Sequence, residues 1–102
     1  MTYATMIIIH DLLESECKRV DKQIRVVHPA LVEAYKAYDK YRFEHPELQD
    51  QINEAFFGKP IQDQNLAELY NRYKKLDEID RNLQAKYQQL DKASDEFHHQ
   101  NW

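Results

Sequence analysis

Read from Leu13, apolar or small residues recur at Leu13, Cys17, Val20, Ile24, Val27, Leu31, Ala34, Tyr38 and Tyr41, in steps that alternate four and three. That spacing is the seam of a coiled-coil helix. A second stripe with the same alternation runs Leu66, Leu69, Tyr73, Leu76, Asp80, Leu83, Tyr87, Leu90, Ser94 and Phe97, polar only at Asp80 and Ser94. Neither region sustains the period-two alternation of a half-buried strand. The polar faces agree with helices. Glu14/Lys18, Asp21/Arg25, Glu68/Arg72 and Asp77/Arg81 are acid-then-base pairs at i,i+4, which support an exposed helical face.

Punctuation bounds these helices. His45-Pro46 turns the chain away from helix and suits the first turn of a new one. A short helix over 46–57 then carries Leu48, Ile52, Ala55 and Phe56 on one face, with Gly58 as its C-terminal cap and Lys59-Pro60 to stop it. Asp63 is the start signal of the last helix, over 63–98, with Glu68 in its early turns. The first helix is read as 11–45, because Asp11 and Glu14 form a capping-box pattern. Residues 1–10 then make an N-terminal arm in which Ile7, Ile8 and Ile9 are extended. The alternative is a helix that starts near Thr5 and continues its apolar face through the isoleucines. Pro29 falls inside the first stripe, yet the heptad phase holds from Val27 to Leu31. One helix with a kink at Pro29, or two nearly collinear ones, is expected.

Two rods of about 50 Å joined by a short connection imply an antiparallel hairpin. Pairing the stripes at a residue-number sum of 107 sets Tyr38 against Leu69, Leu31 against Leu76, Ile24 against Leu83, Val20 against Tyr87 and Cys17 against Leu90. Sums of 100 or 114, one heptad away, satisfy the pattern equally. The expected fold is a single all-α domain: a long coiled-coil-like hairpin with a short helix at its turn. One seam leaves flanking apolar residues uncovered, namely Val26, Ala30, Ala37 and Tyr41 on the first helix and Tyr70, Ile79 and Ala93 on the last. A second copy, completing a dimeric four-helix bundle, or an equivalent contact with a different partner chain, is the expected cover.

Composition narrows the function classes. A single Gly in 102 residues excludes turn-rich sandwiches, barrels and Gly-rich phosphate loops. Fourteen Lys+Arg against 18 Asp+Glu give a net charge of −4, with the basic residues interleaved among acids, so no nucleic-acid partner is expected. The run Met6–Ile9 is far too short to span a bilayer, no secretory signal pattern is present, and lone Cys17 fits a reducing compartment; no membrane partner and a cytoplasmic location are expected.

Candidate chemistry is sparse. Glu96 and His99 have the Glu-x-x-His spacing of helical di-iron sites, but the companion ligands those sites need are missing from the stripes. His10, His28 and His45 are far apart in sequence, and no His-x-x-x-His pair exists for zinc. Cys17 reads as an inert seam residue. Asp80 on the seam is either a buried registry device or is displaced by a local rotation that turns Ile79 inward, and the rotation is the favoured reading. No catalytic residue, metal ligand or cofactor is therefore assigned. The aromatic residues gather toward the turn, and Tyr41, Phe43, Phe56, Phe57 and Tyr70 are the expected partner-binding patch.

Two families share this outline. Helical chorismate mutases have this length and surround a dianion with arginines; Arg19, Arg25, Arg42, Arg72 and Arg81 lie mostly at outer positions beside acids, so an enzyme is not expected. With Phe56-Phe57-Gly58 near its turn and Tyr87-x-x-x-Asp91 near its end, the chain also resembles the W-x-G hairpin proteins of type VII secretion, although the turn has no Trp. The leading expectation is a non-enzymatic intracellular protein–protein interaction module (scaffold, adaptor or inhibitor). The alternative, which that resemblance implies, is a small secreted hairpin.

Overall fold

A computed structural model describes residues 2–101. Its elements are α1 (Tyr3–Glu44), a 3-10 turn (Pro46–Leu48), α2 (Gln49–Ala55) and α3 (Gln64–Asn101), with no strand among the described residues. The fold is all-α, and α1 and α3 pack antiparallel as a helical hairpin. The chain divides into two compact units, one combining residues 2–27 with 80–101 and the other spanning 28–79.

The start of α1 corrects the sequence reading. Residues 3–10 are helical rather than an arm or strand, and the cap lies at Thr2, not Asp11. The Thr5 amide donates to Thr2 Oγ1 at 3.2 Å and the Met6 amide to the Thr2 carbonyl at 3.0 Å. A hydroxyl on the first residue outside the helix thus satisfies a donor that would otherwise lack a partner. The isoleucines continue the helix, as in the alternative reading. Asp11 and Glu14 sit well inside it.

Pro29 does not end α1, which remains one helix of 42 residues. The seam phase is unchanged on either side, with Val27 half-buried and Leu31 buried. Covered seam residues hold the helix together where proline removes one backbone bond.

In the first unit, Val20 is fully buried, and Leu13, Cys17, Ile24, Leu83, Tyr87, Leu90 and Phe97 are half-buried around it. Stepping back from Leu13 by three and then four continues the covered stripe to His10 and Met6. Across the seam Lys86 reaches Glu16 at 3.3 Å. Glu16 also pairs with Arg19, and the hydrogen bond from that guanidinium, with help from Lys86, lowers the Glu16 carboxyl to about 2. Asp80 is 8% exposed while Ile79 is 38% exposed, so the favoured rotation is wrong and the carboxylate occupies the seam. Heptad phase outweighs the cost of placing that carboxylate inside.

The second unit has a three-element core. Tyr38 from α1, Ile52 from α2 and Leu66 from α3 are buried together, with Tyr41, Leu48, Ile61, Leu69, Tyr70 and Tyr73 packed around them. Tyr38 stacks on Tyr73 at 5.6 Å between ring centroids and meets Tyr70 at 5.7 Å; Tyr35 meets Tyr73 at 5.2 Å. The Tyr35/Tyr73 and Tyr38/Tyr70 pairs each have a residue-number sum of 108. In the first unit, His10 against His98 gives the same value. The register is thus the one near 107, not 100 or 114.

Candidate interaction site

The end of the second unit is built from three caps. Gly58 adopts φ +84°, a left-handed conformation that glycine enters without a Cβ penalty. Its amide donates to the Ala55 carbonyl at 3.0 Å and that of Lys59 to Glu54 at 3.2 Å, the bond pair of a Schellman cap that stops the short helix. Gln51 Oε1 then accepts the amides of Gln62 at 3.1 Å and Asp63 at 2.9 Å, which ties the returning loop to α2. Asp63 opens α3 as anticipated, with Oδ2 accepting the Leu66 amide at 2.9 Å.

The same Asp63 oxygen accepts the Tyr41 hydroxyl at 3.0 Å. Tyr41 therefore latches α1 to the cap of α3, and burial together with that bond pushes its phenol up from 10. His45 stacks on the Tyr41 ring at 4.1 Å and donates Nδ1–H to the Tyr41 carbonyl at 2.9 Å, closing the C-terminus of α1.

These contacts divide the five residues expected to form the partner patch. Tyr41 and Tyr70 are half-buried and committed to the fold, Tyr41 in the latch and Tyr70 against Tyr38. Phe43, Phe56 and Phe57 are 86%, 86% and 87% exposed. Where such side chains adjoin, as Phe56 and Phe57 do in sequence, they are a mark of an interaction surface.

Phe56 stands at the edge of a cleft of about 290 Å³, also lined by Tyr35, Tyr38, Arg42, Ala55, Tyr70, Tyr73 and Lys74. Its floor is tyrosine, and its cations are Arg42 and Lys74. Arg42 pairs with Asp39 and lies 5.6 Å from the Tyr38 ring centroid, a cation–π contact. Sequence reasoning missed Arg42 and Lys74 as neighbours of the patch. Spacing held the signal, because Arg42 and Lys74 each follow a tyrosine, Tyr38 and Tyr70, by four residues and so share its helical face.

Elsewhere, Cys17 is half-buried, and burial with the nearby Asp91, Glu16 and Glu14 carboxylates pushes its thiol up. That environment disfavours the nucleophilic thiolate. Glu96 and His99 are both exposed; Tyr87 is half-buried on the seam, and Asp91 is exposed. No helix among the described residues is long and apolar enough to cross a membrane. No protein-family model, curated protein or solved structure matches the chain.

Proposed function

We propose that this chain is a non-enzymatic protein–protein interaction module of the cytoplasm, a scaffold, adaptor or inhibitor that docks through its aromatic end. The observation that carries this reading is the exposure of Phe43, Phe56 and Phe57 on an end whose backbone is held by caps and a three-element core. Rigid presentation lowers the ordering cost of binding, and aromatic rings supply large contact area for few torsions. A second copy of the chain is the first partner, since Val26, Val32 and Ile79 also expose apolar surface. Its lone half-buried cysteine suits a reducing compartment.

Sedimentation velocity at tens of micromolar tests the self-association. A dimer that becomes monomeric on Val26→Ser/Ile79→Ser substitution, with an unchanged helical circular dichroism spectrum, is expected. A wild-type monomer overturns the homodimer. Affinity capture from the native host with wild type and a folded Phe43→Ala/Phe56→Ala/Phe57→Ala variant tests the wider reading; an identical set of captured proteins overturns it.

A further inference from the structure

We infer, on the reading that the aromatic end is the docking surface, that its tyrosine-floored cleft takes an acidic peptide segment, one Asp or Glu side chain beside an apolar one. The chain carries 18 acidic residues against 14 basic ones, yet the cleft is lined by Arg42 and Lys74 and by no acid. A local sign opposite to the net charge draws carboxylates to that spot. The two cations come from different helices, Arg42 from α1 and Lys74 from α3. Long side chains on a helix lean toward its N-terminus. The helices run antiparallel with Tyr38 level with Tyr70, at 5.7 Å between ring centroids, so the two heads lean toward each other from opposite ends of the cleft. Arg42 shows that lean: its guanidinium lies 5.6 Å from the centroid of Tyr38, four residues back.

Each cation keeps capacity for a ligand. Arg42 donates to Asp39 through Nη2, one arm of a fork that carries five N–H donors. Lys74 is exposed and forms no ion pair among the described residues. Because Asp39 offsets one of the two charges, the cleft suits a single carboxylate, whereas a nucleic-acid backbone needs a longer run of cations. The walls supply the apolar half of the preference. Tyr35 and Tyr73 lie with Tyr38 and Tyr70 along the floor, and Phe56 stands at the rim with 86% of its surface exposed. A volume of about 290 Å³ is at the small end of ligand pockets, and a peptide that lays one or two side chains in it and continues along Phe56 fills it. Tyr38 is fixed in the three-element core and stacked on Tyr73, so little of the floor has to be ordered on binding.

Selection of a random dodecapeptide phage library on the immobilised full chain tests the assignment. Enriched peptides should carry Asp or Glu close to Leu, Phe or Trp. A fluorescent copy of the most enriched peptide should bind the wild type, and more weakly as salt rises. Lys74→Glu should weaken that binding roughly tenfold, while Lys74→Arg keeps it. Phe56→Ala should also weaken it about tenfold, each variant retaining the wild-type circular dichroism spectrum. Nitrogen-15 amide spectra of the wild type with the peptide need no variant: shifts should centre on residues 35–42 and 70–74. No enrichment, enriched peptides without acidic residues, shifts centred elsewhere, or full affinity in Lys74→Glu would each overturn the acidic preference. Loss in Phe56→Ala with full affinity in Lys74→Glu overturns it and leaves the docking end standing. Full affinity in both variants, with unchanged host capture by the triple phenylalanine variant, removes the docking end as well.

Discussion

The two units use the same pair of helices and reach different cores. In the 28–79 unit a third element, α2, brings Ile52 over the seam, and Tyr38, Ile52 and Leu66 are buried together. In the unit made of residues 2–27 and 80–101, two helices alone bury Val20 and Asp80 and leave the rest of the seam half-covered. Seven residues of α2 make that difference. Two rods share a single line of contact, whereas a third body roofs that line and removes water from both sides. In the unroofed unit Lys86 bridges the two helices through Glu16, which also pairs with Arg19.

Core truncation is the strongest way to break this comparison. Leu66→Ala removes a fully buried side chain and should cost about 2–5 kcal/mol in urea unfolding followed by circular dichroism. Val20→Ala in the other unit removes less carbon and should cost about 2 kcal/mol. Equal losses would deny that α2 concentrates the core. Asp63→Ala comes next. It removes the N-cap of α3 and the acceptor of the Tyr41 hydroxyl, for about 1–2 kcal/mol in the same assay, and Tyr41→Phe should recover only part of that loss when made alone.

The smallest effects are in pH, and they separate the units by sign. Burial raises the Tyr38 phenol, and burial with Asp63 raises that of Tyr41. Their stabilising contribution is complete below pH 10, the unfolded value, and is lost as pH rises through the higher folded values. Glu16 works in the opposite direction. Lowered from 4.5 to about 2, it stabilises above 4.5 and loses that contribution as pH falls toward 2. Residue-resolved nuclear magnetic resonance across pH should show the 28–79 unit loosening first in alkali, while acid acts on the surroundings of Glu16.

Much of this fold was legible in the sequence, because a heptad seam is a redundant signal. Every residue of the two stripes is buried or half-buried, Asp80 included. The turn was legible too, since Pro46, Gly58 and Asp63 each have one dominant local use. The start of α1 was not. Asp11 and Glu14 imitate a capping box, and nothing local tells them from a Thr2 cap that lies one heptad and two residues earlier. Asp80 was not legible either, because its burial penalty argues for a local rotation while the phase set by nine other stripe residues keeps it on the seam.

Of the aromatic patch, the sequence located the end of the molecule but could not divide its members. Tyr41 sits on the seam and Phe43, two residues on, does not, and the Tyr41 hydroxyl, donating to the Asp63 carboxylate, commits the first to the fold. The meeting of His10 and His98 was hidden for another reason. They are 88 positions apart, and a histidine at a seam position does not stand out as part of an apolar stripe.

Native-state hydrogen exchange of the full chain tests the contrast between the units most directly. Amides of residues 31–38 and 66–73 should exchange only through global unfolding, while those near residues 10–13 and 90–97 open at lower free energy. Uniform protection along α1 and α3, or greater protection at the two-helix end, would contradict it.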